Sequence, residues 1–518
     1  MSTATIEPVL TRTPRPAVRE RFMQVLPVLA PSALAALIVL YELGTRSLWL
    51  DESATVAITA QHGSALWEAI ARDGGNMLGY YLLLHALTGA FGHAPALIRA
   101  PSVVGFVGTV AITSMIAQRL FGRRAALAAG LLTAVSLPLV FWGQDARGYA
   151  LMTMFVAASF LALIALVEQP RSRRAWAAYI AMTLLAMYMS FVAVLVLPAQ
   201  LVVLLTRREA ARAVLSAVAV LAACCVPIAV LAVLRGSSQL FWVPAPNLKR
   251  IGEMARWLTS AGMPPNFHRT ATGTIALVVT LALVAALLAA AIPQRRRIGW
   301  PVWLTVAWLL VPLGLSLAES LAGQPIQLAR NSLLSLPAVA LVLAWGLTHP
   351  RISPWLGVSA LGALLALRAL QLAPSYGVSS ENWKAATQRV ITATRPGDCI
   401  AFYPSDGRMA FAYYIPTGAQ APAPVLPGAA WGVTKPYVER YVLPSASRLA
   451  QIEASCARVW LIASHQGFRN GPPGSRAHFA QYQKLRGTLS RAYGPGFTAS
   501  YGWASPVRVE LFARLPAR

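Results

Sequence analysis

Acidic residues are scarce in this chain: 18 Asp and Glu stand against 44 Lys and Arg, and charged residues of both signs make up only 12% of its 518 positions. A soluble globular domain carries about a quarter charged residues and about half apolar ones, whereas this chain is 57% hydrophobic. That combination excludes an ordinary water-soluble enzyme. Four cysteines are too few for a disulfide scaffold. His62, His85, His93 and His268 are scattered without the spacing of metal ligands, so no metal and no other cofactor is expected.

Long apolar runs take the place of charge. Leu26–Leu40, Val103–Ala117, Ala211–Leu234 and Thr270–Ile292 are nearly free of charged residues, and about 20 such residues cross a bilayer as a helix. Tight arginine clusters lie between the runs. The formal charge of +26 therefore speaks for loops held on the cytoplasmic side and against a nucleic-acid partner. Residues 1–21 form a basic tail with Arg12, Arg15, Arg19 and Arg21. No signal-peptidase site followed by soluble sequence is visible there, so the first apolar segment is expected to remain as a span.

With the N-terminus in the cytoplasm, the pattern predicts eleven spans, at about 22–43, 99–118, 124–142, 149–167, 174–187, 190–206, 213–234, 271–292, 299–317, 330–347 and 352–372. The first outer loop, 44–98, holds an amphipathic stretch, Ser53–Arg72, and a shorter apolar one, Met77–Phe91, read as a juxtamembrane helix on the outer surface. As a span, Met77–Phe91 would put Arg119, Arg123 and Arg124 outside and invert every later basic loop. As a surface helix, it leaves Arg171, Arg173 and Arg174, then Arg207, Arg208 and Arg212, then Arg295–Arg297 and finally Arg351 in the cytoplasm.

An odd number of spans sends the C-terminus outside. A membrane domain is expected over 22–375 and an extracytoplasmic α/β domain over 376–518. In the latter, Trp383–Ala393 and Ala446–Ala454 read as helices, and Cys399–Tyr403, Arg458–Ala463 and Val507–Phe512 as strands. Thr417–Ala429 and Asn470–Ser475 read as linkers. Cys399 and Cys456 each precede a hydrophobic strand. If those strands are parallel neighbours, the two cysteines share a sheet edge and can pair; the alternative is two unrelated buried thiols.

Because acids are few, their positions carry information. Asp51 and Glu52 follow Leu48-Trp49-Leu50 at the predicted outer mouth of the first span. A carboxylate beside hydrocarbon is costly unless a cation, a metal or a reaction uses it; a plain helix cap is the competing reading. Gln144-Asp145-Ala146-Arg147-Gly148-Tyr149 forms a second polar group at the same face and suits an anionic headgroup. Arg99 and Arg330 fall at outer helix ends as well. Together Arg99, Arg147 and Arg330 would make a basic pocket facing Asp51, with snorkelling toward lipid phosphate as the competing reading. Phe241-Trp242-Val243-Pro244 reads as an interfacial anchor or a cover over a sugar.

Asp51-Glu52, Ala96-Leu97-Ile98-Arg99-Ala100-Pro101-Ser102 and Gln144-Asp145-Ala146-Arg147-Gly148-Tyr149, in this order, resemble the polytopic GT-C glycosyltransferases. The nearest likeness is to the bacterial branch related to protein O-mannosyltransferases and the lipid A aminoarabinose transferase. Leu120-Phe121-Gly122-Arg123-Arg124 and Asn382-Trp383-Lys384-Ala385-Ala386, followed by Pro396-Gly397-Asp398, fit the same spacing. The resemblance covers nearly the whole chain and is strongest over 40–200. It implies a polytopic all-α membrane fold and transfer of a sugar from a polyprenyl-phosphate carrier on the outer face of the bacterial cytoplasmic membrane. The acceptor would be a protein, a lipid or an envelope glycan.

The resemblance also implies Asp51 as the catalytic carboxylate, Glu52 as an orienting group, and Arg147 and Arg330 on the lipid phosphate with Tyr149 beside them. The basic-pocket reading adds Arg99 to the phosphate site, with Asp145 and Tyr188 in support. Two departures leave sugar and acceptor open. Met187-Tyr188-Met189-Ser190-Phe191 lacks the His that many relatives carry, and Arg330-Asn331 replaces their Arg-Tyr pair. A transporter would instead place polar groups at mid-membrane on discontinuous spans, and a non-enzymatic scaffold would need no cavity.

Overall fold

A computed structural model describes residues 18–235, 240, 242–259, 275, 277–281, 299–323, 326–428, 441–503 and 505–514. The expected span at 271–292 and the cluster Arg295–Arg297 fall wholly or largely outside these residues, as do Phe241 and His268. The membrane part runs through α1 (Val18–Leu40), α2 (Leu50–Thr59), α3 (Gly63–Arg72), α4 (Leu78–Phe91), α5 (Pro95–Phe121), α6 (Arg123–Ala134), α7 (Leu137–Gly143), α8 (Tyr149–Glu168) and α9 (Arg173–Met189). It continues through α10 (Leu197–Leu201), α11 (Ala211–Arg235), α12 (Leu248–Leu258), α13 (Trp300–Leu321), the 3-10 helix Ala329–Ser335, α14 (Leu336–Leu347) and α15 (Pro354–Leu372).

Among the described residues, seven helices are long and apolar enough to cross a membrane, or eight if the α6–α7 pair, bent by 61°, is one span. A polytopic all-α membrane part followed by an α/β part is thus as expected, in its coarser form. The segments expected at 174–187 and 190–206 are α9, of 17 residues, and a shorter apolar piece, Phe191–Leu205. Ser190 takes an extended backbone between them, and Asn76 Oδ1 accepts the freed Phe191 N–H at 3.3 Å. Beyond that point the chain alternates 3-10 and α turns.

Lipid supplies little hydrophobic drive between helices, so close backbone approach does the work. α8 packs between α5 and α9. A Cβ at Gly105 would lie 2.6 Å from both the Ala150 carbonyl carbon and the Leu151 nitrogen, so only glycine lets α5 and α8 meet here. At the α6–α7 bend, Arg368 from α15 is buried and donates from Nη1 to the Leu132 carbonyl at 3.0 Å. That bond serves a carbonyl that the interrupted helix leaves over, which hydrocarbon could not do.

The C-terminal part adds α16 (Trp383–Ala393), α17 (Gly407–Tyr413), α18 (Ala446–Ser455) and α19 (Pro473–Tyr493) to five strands. These are β1 (Asp398–Tyr403), β2 (Ala423–Leu426), β3 (Arg458–Ala463), β4 (Pro495–Tyr501) and β5 (Val507–Ala513), in the sheet order β2-β1-β3-β5-β4. β1 pairs parallel with β2 and β3, and β5 runs antiparallel to β3 and β4. β2 lies inside the expected linker Thr417–Ala429. Its Pro424 is tolerated because β2 is an edge strand. Asp398 pairs with Arg458 in register, and Cys399 and Cys456 are joined by a disulfide with Cα atoms 5.7 Å apart.

Candidate functional site

α2 begins at the junction of the two parts, and its start is held from both sides. Within the membrane part, Glu52 Oε2 accepts the Trp49 N–H at 3.4 Å. From the C-terminal part, Ser379 Oγ accepts the Ser47 N–H at 3.0 Å, Tyr414 Oη the Leu48 N–H at 2.7 Å, and Glu381 Oε2 the Leu50 N–H at 3.1 Å. Leu50 itself packs into the sheet-side core with Trp383 and Ile400. The Leu50 N–H is an orphan donor of the helix start and those of Ser47 and Leu48 lead into it; all three are met by residues more than 300 positions away.

This anchoring splits the two adjacent acids. Glu52 is 1% exposed. Its Oε1 accepts from Arg99 Nε and the Ala146 N–H, both at 2.8 Å, and its Oε2 from Arg99 Nη2 at 2.8 Å. Arg99 spends Nη1 on the Leu43 and Arg46 carbonyls at 2.8 and 3.3 Å. Asp51 faces the other way. Its Oδ2 lies 3.4 Å from Arg330 Nη1, with the side chains 26% and 22% exposed.

The 144–148 loop is stitched to the end of α1. Gln144 Nε2 donates to the Val39 and Tyr41 carbonyls at 2.9 and 2.7 Å, and Arg46 Nη2 donates to the Gln144 carbonyl at 3.2 Å. A Cβ at Gly148 would stand 2.6 Å from the Met189 carbonyl oxygen, so glycine lets this loop rest on the end of α9. Arg147 is thereby turned inward. Its Nη1 donates to Thr55 Oγ1 at 3.2 Å and to Tyr81 Oη at 3.1 Å, and Tyr81 donates in turn to Asp73 Oδ2 at 2.8 Å. Asp145 is buried, and its Oδ2 accepts from Trp49 Nε1 at 2.6 Å. Burial, and then the charge of Glu52, pushes the Asp145 carboxyl well above its ordinary value, against the pull of Arg99, the Trp49 bond and Arg46.

Asp51, Arg147, Tyr149 and Arg330 line one cavity of about 280 Å³. The Arg330 guanidinium lies 5.8 Å from the Tyr149 ring centroid and 5.6 Å from that of Trp242, within reach of cation–π attraction. Glu52, Arg99, Asp145 and Tyr188 are not part of the lining. Arg99 is sealed against Glu52, and Tyr188 donates to the Cys224 carbonyl at 3.2 Å, on the α9–α11 side. The phosphate-contact expectation for Arg99 thus meets a side chain without access to the cavity.

Sequence reasoning missed the opposite wall. His465, Phe468, Tyr441 and Ser505 of the C-terminal part line the same cavity. His465 has a positive φ of 54°, a conformation that marks constraint in a non-glycine residue. Its Nε2 is 2.5 Å from Glu381 Oε1, so Glu381 joins His465 to the backbone N–H just before Asp51. The scarcity that singled out Asp51 was equally a signal for Glu381. Among the described residues, no group of three or more His, Cys, Asp or Glu could hold a metal ion.

Residues 77–235 match the family model of dolichyl-phosphate-mannose-protein mannosyltransferases; that stretch contains Arg147 and Tyr149 but neither Asp51 nor Glu52. Among solved structures, ArnT from Cupriavidus metallidurans bound to undecaprenyl phosphate is 14% identical, with a TM-score of 0.54, over 94% of this chain and 98% of its own. The archaeal oligosaccharyltransferase AglB from Archaeoglobus fulgidus, in complex with an inhibitory peptide and a dolichol-phosphate, is 12% identical, with a TM-score of 0.52, over 95% of this chain and 74% of its own. No curated protein matches the chain by sequence. The likeness at these identities is one of fold, and it is to the GT-C glycosyltransferases.

Proposed function

Starting from that fold, we propose that this multi-pass membrane protein transfers a sugar from a polyprenyl-phosphate-linked donor to a hydroxyl acceptor, with inversion, and that Asp51 is the general base. The observation that carries the reading is the convergence of Asp51, Arg330 and Arg147 on one cavity. In the proposed orientation the N-terminus is cytoplasmic, and the cavity and the C-terminal domain lie on the outer face of a bacterial cytoplasmic membrane.

An acceptor hydroxyl is a weak nucleophile. Asp51 takes its proton as the oxygen attacks the anomeric carbon, and the C–O bond to the carrier phosphate breaks with its electron pair. The phosphate leaves as an anion and needs no proton, so one carboxylate suffices and the two-carboxylate scheme of hydrolases is not required. Arg330, already within 3.4 Å of Asp51, and Arg147 meet the charge that develops on the leaving oxygen. Tyr149 and Trp242 hold the Arg330 guanidinium from its faces. Glu52 and Arg99 act as positioning residues, fixing the start of α2 and the Ala146 backbone to each other.

The test is single-turnover transfer from a labelled polyprenyl-phosphate sugar on matched amounts of folded protein. Asp51→Asn should cut the rate by roughly two to four orders of magnitude while binding of undecaprenyl phosphate persists. Transfer near the wild-type rate would remove Asp51 from the chemistry.

A further inference from the structure

A second cavity, of about 470 Å³, lies between the starts of α9 and α11 and is lined by Arg171, Arg173, Trp176, Glu209, Arg212 and Ser216, among others. It is far from the first. α8 begins at Tyr149, in the Asp51 cavity, and ends at Glu168, two residues before the lining residue Pro170. At about 1.5 Å per residue, its 20 residues extend about 30 Å, the thickness of a hydrocarbon core. The cleft therefore sits at the opposite membrane surface.

Its charge is not balanced from within. Glu209 is the sole carboxylate of the lining, and Arg207, outside the cleft, already pairs with it at 3.3 Å while lying over the Trp300 ring. Arg171, Arg173 and Arg212 are exposed around the cleft, two of them at helix starts, where the backbone adds positive potential. The cleft floor is amphipathic: Trp176 Nε1 donates to Ser216 Oγ at 3.1 Å and ties α9 to α11, and an indole at this depth marks the headgroup level. Pro170 and Ala213 add apolar surface.

We propose that this cleft binds the phosphodiester headgroup of an anionic phospholipid from the leaflet opposite the Asp51 cavity. Three guanidiniums present planar donors to a phosphate, and the cleft volume falls in the range of ordinary ligand sites. A position at the membrane surface, with an apolar rim, favours a lipid entering sideways over a free anion. The site is independent of the proposed transfer reaction.

Native mass spectrometry of the full chain, titrated with phosphatidylglycerol or phosphatidylcholine, reads the proposal directly. Phosphatidylglycerol adducts should exceed phosphatidylcholine adducts by about tenfold. The double variant Arg173→Ala, Arg212→Ala should lose this preference, and Arg174→Ala, an exposed neighbour outside the lining, should keep it. The pair Arg173→Lys, Arg212→Lys should retain most of it, which separates lost charge from lost folding. An undiminished preference in the folded double-alanine protein would overturn the proposal. So would displacement of the lipid by inorganic phosphate at equal concentration, since the cleft would then take a free anion.

Discussion

Arg330 Nη1 approaches Asp51 at 3.4 Å in a pair about a quarter exposed to the cavity, whereas Arg99 grips Glu52 through two nitrogens at 2.8 Å with both side chains 1% exposed. The two acids are consecutive in sequence. On a helix, neighbouring residues point about 100° apart, so a rotation of one position carries a carboxylate from the cavity into the protein. Glu52 accepts four N–H donors, which commits its oxygens to structure. Asp51 instead lines the cavity. A buried pair with all its hydrogen bonds made fixes geometry, and a loose pair beside it can exchange partners as a substrate arrives.

Stability separates the two most strongly. Glu52→Gln leaves the Arg99 charge buried without its counter-ion and should cost about 3–5 kcal/mol, visible as a large loss of thermal stability in detergent. Asp51→Asn should cost less than about 1 kcal/mol, since the pair with Arg330 that it weakens is long and partly exposed. Equal losses would erase the distinction between the pairs. Replacing Glu52 and Arg99 together by Leu should recover much of the loss, because no lone charge remains.

Arg330→Lys sharpens the comparison at an intermediate size. It keeps the charge but loses the planar fork and the facing rings of Tyr149 and Trp242, so undecaprenyl phosphate should bind about tenfold more weakly. Arg99→Lys should act on stability instead, leaving binding close to wild type in whatever protein folds. Isothermal titration on both variants would reveal the reverse pattern if Arg99 met the phosphate.

The smallest expected effect comes from Asp145. Its carboxyl is raised, so the folded state holds the proton more tightly than the unfolded chain does. The resulting stabilisation is full below the ordinary carboxylate value and is lost as pH rises through the elevated one. Asp145→Asn, which cannot ionise, should flatten that decline in a pH series of melting temperatures. A decline of unchanged slope would mean that Asp145 is ionised throughout.

Much of this is legible in the sequence. The scarcity of acids drew attention to Asp51, and apolar runs bounded by arginines marked the long spans, because hydrocarbon imposes both constraints on composition directly. The strands expected at Arg458–Ala463 and Cys399–Tyr403 are readable from their apolar runs, the second extending one residue further, to Asp398. Three things are not. The split fates of Asp51 and Glu52 depend on a helix orientation set by Arg99, 47 positions on. β2 was hidden because its Ala-Pro-Val-Leu sequence looks like a linker unless its edge position is known. The wall formed by His465, which Glu381 holds from behind, requires the C-terminal domain to dock on α2, and no local pattern encodes a contact between residues so far apart.

The bond from the Leu50 N–H to Glu381 spans 331 positions. A ribosome adding roughly 5–20 residues per second needs on the order of tens of seconds to cover that distance, and His465 follows later still. Through that interval α2 exists with its start unfinished and the cavity lacks one wall. Completion of the pocket thus waits until Glu381 and His465 have been made, and a chain broken off anywhere before Glu381 would carry Asp51 without the bond from the Leu50 N–H.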